Sequence, residues 1–192
     1  MTESDRQFLR EYSKTRISIG ITADGRPRRS VWVPWERTIN AFNMRTPDLY
    51  FSPEELQDEE LWTELQRFSI IGCYIFCPLE DYGFLSRLRE LQDLNIYKGG
   101  ALRSLGFLRQ MPQWFQFHVE DAVLSDLTDL FPGGKANSGC CVCLSGCRVG
   151  DTSVPEDVRL SELVILMPEG SGEKDRWKHI PCGKYTYLEY KT

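Results

Sequence analysis

Short apolar segments recur at a fixed interval, and this repetition constrains the fold more than any other feature of the sequence. Three segments with apolar residues at alternate positions begin at Cys73, Leu94 and Phe115, and each step is 21 residues. Loop residues and then leucines at helical spacing follow each segment. Alternation is typical of an extended strand with one side in the core, and the leucines predict a helix that covers the same core. The pattern therefore predicts a strand–loop–helix unit that is used several times.

The repeat continues on both sides of these three segments with less regular spacing. Further alternating segments begin at Leu49, Cys141 and Leu163, and the added steps are 24, 26 and 22 residues. One such unit cannot bury its apolar side alone, whereas stacked neighbours can. The rival interpretation is an ordinary α/β domain with a parallel sheet. Spacing near 21 favours a solenoid, because a strand–helix–strand unit usually takes ~30 residues or more.

Residues 88–96 carry the pattern L-x-x-L-x-x-L-x-I, which resembles the consensus of the leucine-rich-repeat family. Gly99 stands where that family usually has Asn or Cys. The resemblance covers about residues 48–168, with short, irregular repeats of about 20–26 residues. It implies an α/β solenoid with parallel strands on a concave face and helices on a convex face. It also implies a protein partner on the concave face.

The N-terminal part departs from the repeat. Two apolar runs, 17–21 and 31–33, flank an Asp-Gly turn at 24–25. Such an arrangement is typical of a β-hairpin. Residues 1–47 are therefore predicted to form a hairpin cap over the first repeat, since the ends of a solenoid need cover.

The C-terminal part alternates from residue 184 to residue 190, as an edge strand does. Residues 169–192 are therefore predicted to be a capping strand, and residues 48–168 the solenoid itself. A chain of this length with 41% hydrophobic residues suits one structural domain.

The charge balance argues against a general nucleic-acid binder. The formal net charge is −5, and such binders usually carry a basic stripe. The one local basic cluster is Arg26-Pro27-Arg28-Arg29, beside Gly25. It is typical of a solvated hairpin tip, and a phosphate contact is the alternative.

The sequence predicts a cytoplasmic location and no membrane association. Residues 1–10 are polar and charged, with no apolar signal segment behind them, and no apolar run reaches the ~18 residues of a membrane span. The seven cysteines are an odd number, which favours free thiols in a reducing compartment.

The cysteines at 140, 141, 143 and 147 are the pattern closest to a metal site. Zinc needs about four converging ligands, and no C-x-x-C pair is present. We expect Cys141 and Cys143 to be inward core residues, with no metal and no cofactor. The alternatives are a zinc site or a redox role. A thiol nucleophile would require His118 close to Cys77 or Cys147.

The candidate site consists of strand residues outside the core positions. They are the residue between the two core residues of each strand and the residue just after the second core residue. Aromatic and aliphatic residues dominate there, where a solvated sheet face is usually polar. The predicted partner-binding residues are Tyr50, Tyr74, Phe76, Asn95, Tyr97, Gln116, His118 and Leu144. Aromatic clusters are enriched in binding hot spots, so the predicted function is non-catalytic binding of a protein. The alternatives are a small thiol-dependent enzyme or hydrolase on a parallel sheet, and a structural scaffold or homodimer that uses the same face.

Overall fold

The computed structural model describes residues 1–12, 16–32, 46–110, 116–130, 140–154 and 159–191. The fold is mixed α/β with mostly parallel strands, and the chain forms two compact units, Met1–Cys77 and Pro78–Thr192. This division differs from the predicted one, whose first boundary at 47/48 lies within a strand of the first unit. None of the helices in the described ranges has the length and apolar character needed to cross a membrane.

The first unit combines two helices with a four-stranded sheet in its described part. Its elements are α1 (Glu3–Tyr12), β1 (Arg16–Ile21), β2 (Arg29–Trp32), β3 (Thr46–Phe51), a 3-10 turn (Glu55–Gln57), α2 (Glu59–Leu65) and β4 (Ser69–Ile75). The strands lie in the order β4-β1-β3-β2. β1 is parallel to both β3 and β4, and β2 is antiparallel to β3.

The predicted N-terminal hairpin is wrong, because β3 lies between β1 and β2. Every residue of β1 after Arg16 is buried, including Ser18 and Gly20 on the face opposite the isoleucines. Burial on both faces is typical of a central parallel strand and not of a terminal hairpin. The helix α1 was not predicted.

One face of this sheet forms the core of the first unit. Ile19, Leu49 and Cys73 are in register across β1, β3 and β4, and all three are fully buried. The leucines predicted on a helix are buried too, and α2 begins after Asp58, whose side chain accepts a hydrogen bond from the Glu60 N–H (2.9 Å). That cap satisfies one of the free amides of the first turn.

The second unit stacks strands in chain order. Its strands are β5 (Asp93–Ile96), β6 (Gln116–Glu120), β7 (Val123–Asp126), β8 (Cys141–Ser145), β9 (Arg148–Asp151), β10 (Leu160–Pro168) and β11 (Cys182–Tyr190). The order β5-β6-β8-β10-β11 is parallel at every pair, and β7 and β9 form a second, two-stranded parallel sheet. The segments predicted as strands are thus confirmed, except that Phe115 lies outside the described residues.

The helices predicted between these strands are wrong for the second unit. Its described residues contain 3-10 turns instead, at Gly83–Arg87, Gly106–Gln110, Thr128–Leu130 and Lys174–Trp177. The leucines between the strands are nevertheless buried, among them Leu102, Leu105 and Leu108. Their spacing is three residues, which matches the three residues per turn of a 3-10 helix.

The register of β8 also differs from the prediction. Val142 and Leu144 are buried at 1% and 0% exposure, and they pair with the core residues Phe117 and Val119 of β6. The inward positions expected for Cys141 and Cys143 are therefore wrong, since a shift of one residue moves every side chain of a strand to the other face.

Candidate functional site

The predicted partner-binding residues are divided between the two units. Tyr50, Tyr74 and Phe76 belong to the first, and the others belong to the second. Leu144 is removed from this set, because it lies in the core of the second unit.

In the second unit, Asn95 and His118 are in register with Cys143 on the face opposite the core. Asn95 is only 3% exposed, and its Nδ2 donates to Asp93 Oδ1 (2.6 Å). The rings of Tyr97 and His118 meet edge to face, with centroids 5.4 Å apart. Gln116 is exposed.

His118 has a carboxylate beside it and a thiol on the next strand, the types of group that a thiol enzyme uses. His118 Nε2 lies 3.2 Å from Glu120 Oε1 but forms no hydrogen bond with a described residue. Cys143 is the register partner of His118. Burial lowers the pKa of His118, which favours the neutral imidazole.

The thiol pKa values oppose a nucleophilic role for this group. Burial raises the pKa of Cys143 to about 11, and burial likewise raises that of Cys147 to about 11. A catalytic thiol needs a lowered pKa, because the thiolate is the nucleophile. The Cys147 thiol also donates a hydrogen bond to the backbone, with Sγ 3.3 Å from Val119 O. Burial therefore favours the protonated form of both thiols.

In the first unit, the sheet face opposite the core carries a row of small and polar residues. Gly72, Ser18, Asp48 and Ser30 are in register across β4, β1, β3 and β2. Two residues further along β3 and β4 lie Tyr50 and Tyr74, both in register with Gly20 of β1, and Phe76 follows β4. We call this set of residues (18, 20, 30, 48, 50, 72, 74 and 76) the site face.

The aromatic side chains of the site face lie against its glycines. A Cβ at Gly20 would collide with the Tyr50 ring, and one at Gly72 would lie 3.2 Å from the Tyr74 hydroxyl. The absence of a side chain at Gly20 therefore lets the Tyr50 ring approach the backbone. Tyr50 also stacks on Phe76, with centroids 6.4 Å apart and planes at 23°. Phe76 is 40% exposed, so the aromatic pair is open to solvent at one end.

Asp48 is the most unusual residue of the site face. It is 4% exposed, and its Oδ2 accepts a hydrogen bond from Ser30 Oγ (3.0 Å). Its Oδ1 is buried and accepts no hydrogen bond from any residue that the structure describes. Burial raises the pKa of the Asp48 carboxyl to about 6, and the Ser30 bond offsets only part of that rise. A carboxylate with an unsatisfied buried oxygen is costly for a protein to keep.

The sequence prediction missed Asp48, Ser18 and Gly20. The run Ile17-Ser18-Ile19-Gly20-Ile21 could have indicated this face, because small residues alternate with isoleucines and leave little side-chain bulk on one face of the strand. Asp48 between Pro47 and Leu49 is likewise a charge inside an otherwise apolar strand.

The basic cluster at residues 26–29 is used within the fold. Arg28 Nη2 lies 3.0 Å from Asp5 Oδ2, and its Nη1 lies 2.6 Å from Glu55 Oε1. Arg29 Nη1 donates to the Ser4 backbone oxygen (2.7 Å). These contacts join α1 to β2, so the cluster is not simply a solvated tip.

No group of three or more potential metal ligands occurs among the described His, Cys, Asp and Glu residues. No protein-family model, no curated protein and no solved structure gives a significant match to the chain.

Proposed function

We propose that this protein is a non-catalytic binding module that recognises a protein partner through the site face of its first unit. The stacked pair Tyr50–Phe76, open to solvent at Phe76, is the observation that carries the proposal. Aromatic side chains with a polar neighbour supply much of the energy at protein interfaces, where they occur as hot spots. Tyr50 stands on β3, and Phe76 directly follows the end of β4.

The proposal includes a leucine-rich-repeat solenoid. The second unit supports it with five parallel strands that are neighbours in chain order and with buried leucines between them. The short 3-10 turns between strands fit a repeat step of about 21 residues, which leaves little room for an α-helix. Repeats of this family commonly bind proteins on the strand face, which is an argument from analogy.

We also propose a cytoplasmic location. None of the seven cysteines, all of which the structure describes, forms a disulfide, and thiols persist in reducing compartments.

Affinity capture from a native lysate tests the binding proposal. The wild type is compared with Phe76→Ser, which removes the exposed ring, and with Leu188→Ser, a control that removes an exposed apolar side chain (55%) of the second unit. We expect quantitative mass spectrometry to find a protein held by the wild type and by Leu188→Ser and lost by Phe76→Ser. All three chains must first show equal thermal stability.

Two results would contradict the proposal. One is a partner retained equally by Phe76→Ser, and the other is no captured protein at all. A second copy of this chain as the captured protein, with dimers seen by light scattering in the wild type alone, would identify the face as a homodimer interface instead.

A further inference from the structure

We propose that the site face receives a lysine side chain of the protein partner, with its ammonium group on Asp48. This inference rests on the proposed function and names the chemistry of the partner. It predicts a basic partner, which the net charge of −5 also favours through electrostatic attraction.

The hydrogen-bonding capacity of the Asp48 carboxyl is only partly satisfied by the described residues. Its Oδ1 is buried without a hydrogen-bond donor among the described residues, and a carboxylate can only accept. The two arginines that precede and begin β2 are bonded elsewhere, Arg28 to Asp5 and Glu55 and Arg29 to Ser4. A cation from outside the chain would therefore relieve an unfavourable burial, which adds to the affinity for it.

The surrounding groups suit an ammonium ion. Ser18 Oγ and the Tyr74 hydroxyl would lie 2.5 Å and 3.2 Å from a Cβ at Gly72, so both oxygens stand over this glycine. The register places Ser18 next to Asp48 on the neighbouring strand. Hydroxyl oxygens accept hydrogen bonds, and an ammonium group has three donors to share between the carboxylate and such oxygens.

Lysine suits Asp48 better than arginine because one oxygen of the carboxylate is already hydrogen-bonded. Ser30 already donates a hydrogen bond to Oδ2, whereas Oδ1 accepts none from the described residues. A guanidinium binds best with both oxygens of a carboxylate in a two-pronged contact, whereas an ammonium is a compact charge that needs one. The aromatic pair Tyr50–Phe76 would contact the methylene stem of the lysine and attract its charge.

The Tyr50 hydroxyl lies beside the Ser30–Asp48 hydrogen bond, 3.5 Å from Ser30 Oγ and so at the limit of a hydrogen bond itself. Asp48 is only 4% exposed, so we infer that a lysine reaches it when the Tyr50–Phe76 pair moves as a unit. Such a movement keeps the stack, and β3 keeps its pairing with β1.

Titration of the full chain with Nα-acetyl-lysine amide, followed by NMR of the backbone amides, tests the inference. We expect shifts at β3 and β4, with affinity at least tenfold weaker in Asp48→Asn. This variant keeps the shape of the side chain and removes its charge. Glu60→Gln makes the same charge change at an exposed position of α2 and is expected to bind as the wild type does. Affinity is expected to fall about tenfold from about pH 7.5 to about pH 5, because Asp48 with its pKa of about 6 becomes protonated.

Three outcomes would overturn the inference: no shifts in the wild type, equal affinity of wild type and Asp48→Asn, or equal affinity for Nα-acetyl-arginine amide. The same ligand with an acetylated ε-amine serves as a control that must not bind. A partner lost by Phe76→Ser but kept by Asp48→Asn would reject the lysine and uphold the proposed function.

Discussion

Asp48 combines a buried carboxyl with a position in the middle of a strand, and this has a consequence for stability. Its pKa of about 6 in the folded protein is above the ordinary value of 3.8, because burial disfavours the charged form. The folded protein therefore holds this proton more tightly than the unfolded chain does. The stability that this gives is complete below about pH 3.8 and is lost as the pH rises through about 6.

We expect the wild type to lose about 1 kcal/mol of stability relative to Asp48→Asn between about pH 5 and about pH 7.5. Urea unfolding of both chains at each pH measures this difference, and groups common to both chains cancel. Glu60→Gln should run parallel to the wild type. A wild type and an Asp48→Asn variant with parallel profiles would mean that Asp48 is not buried as described.

The corrected register of β8 predicts which thiols react. The half-buried thiols are Cys141, Cys143 and Cys182, and the buried thiols are Cys73, Cys77, Cys140 and Cys147. We expect N-ethylmaleimide to label the half-buried group first, because reagents need access to the sulfur. Peptide mass spectrometry after short exposure of the native chain measures this order. If Cys140 were labelled ahead of Cys141, the result would contradict the observed register and support the one predicted from sequence, with Cys141 inward.

Single residues of the site face were partly predictable. The positions of Tyr50, Tyr74 and Phe76 on the face opposite the core follow from alternation, because the apolar residues next to them in sequence belong to the core. Asp48 could not be identified as a site residue, since its partners Ser18 and Ser30 come from strands whose pairing is not local in sequence. Leu144 was misplaced because cysteine and valine alternate in Cys141-Val142-Cys143, and both are at home in a core.

Among the elements, the pair β7–β9 leaves no room for a side chain at Gly150. A Cβ at Gly150 of β9 would lie 2.5 Å from the backbone oxygen of Ser125 in β7, and backbone cannot yield as a side chain does. Gly100 has nothing within 4 Å of such a Cβ. The two glycines therefore form a matched pair for substitution.

We expect Gly150→Ala to cost roughly 1–3 kcal/mol of unfolding free energy, since the added methyl forces β7 and β9 apart. Gly100→Ala should change stability by less than about 0.5 kcal/mol, as surface substitutions usually do. Thermal or urea unfolding provides both values. Equal losses at the two positions would count against the β7–β9 pairing.

The spacing of the leucines contained more information than the helix prediction used. Leu85, Leu88, Leu91 and Leu94 are each three residues apart, whereas an α-helix places buried residues at alternating intervals of three and four. A strict interval of three indicates 3-10 turns or extended connections. The spacing thus predicts the burial of these leucines, and it favours 3-10 turns over the α-helices that we predicted.

At the scale of the whole molecule, the repeat predicted the strand order of the second unit and not that of the first. β5, β6, β8, β10 and β11 lie side by side in chain order, and such an order follows from a repeat. In the first unit, β1 lies between β3 and β4, which come later in the chain. No local pattern indicates that order, and an Asp-Gly turn between two apolar runs favours a hairpin from sequence alone.

The dissociation constant of the purified partner tests the central claim most directly. It is measured by calorimetry for the wild type, Phe76→Ser and Leu188→Ser, all of equal thermal stability. We expect Phe76→Ser to bind at least tenfold more weakly, as is typical of a hot-spot aromatic, and Leu188→Ser to bind as the wild type does. Equal dissociation constants for the wild type and Phe76→Ser would contradict binding at the site face.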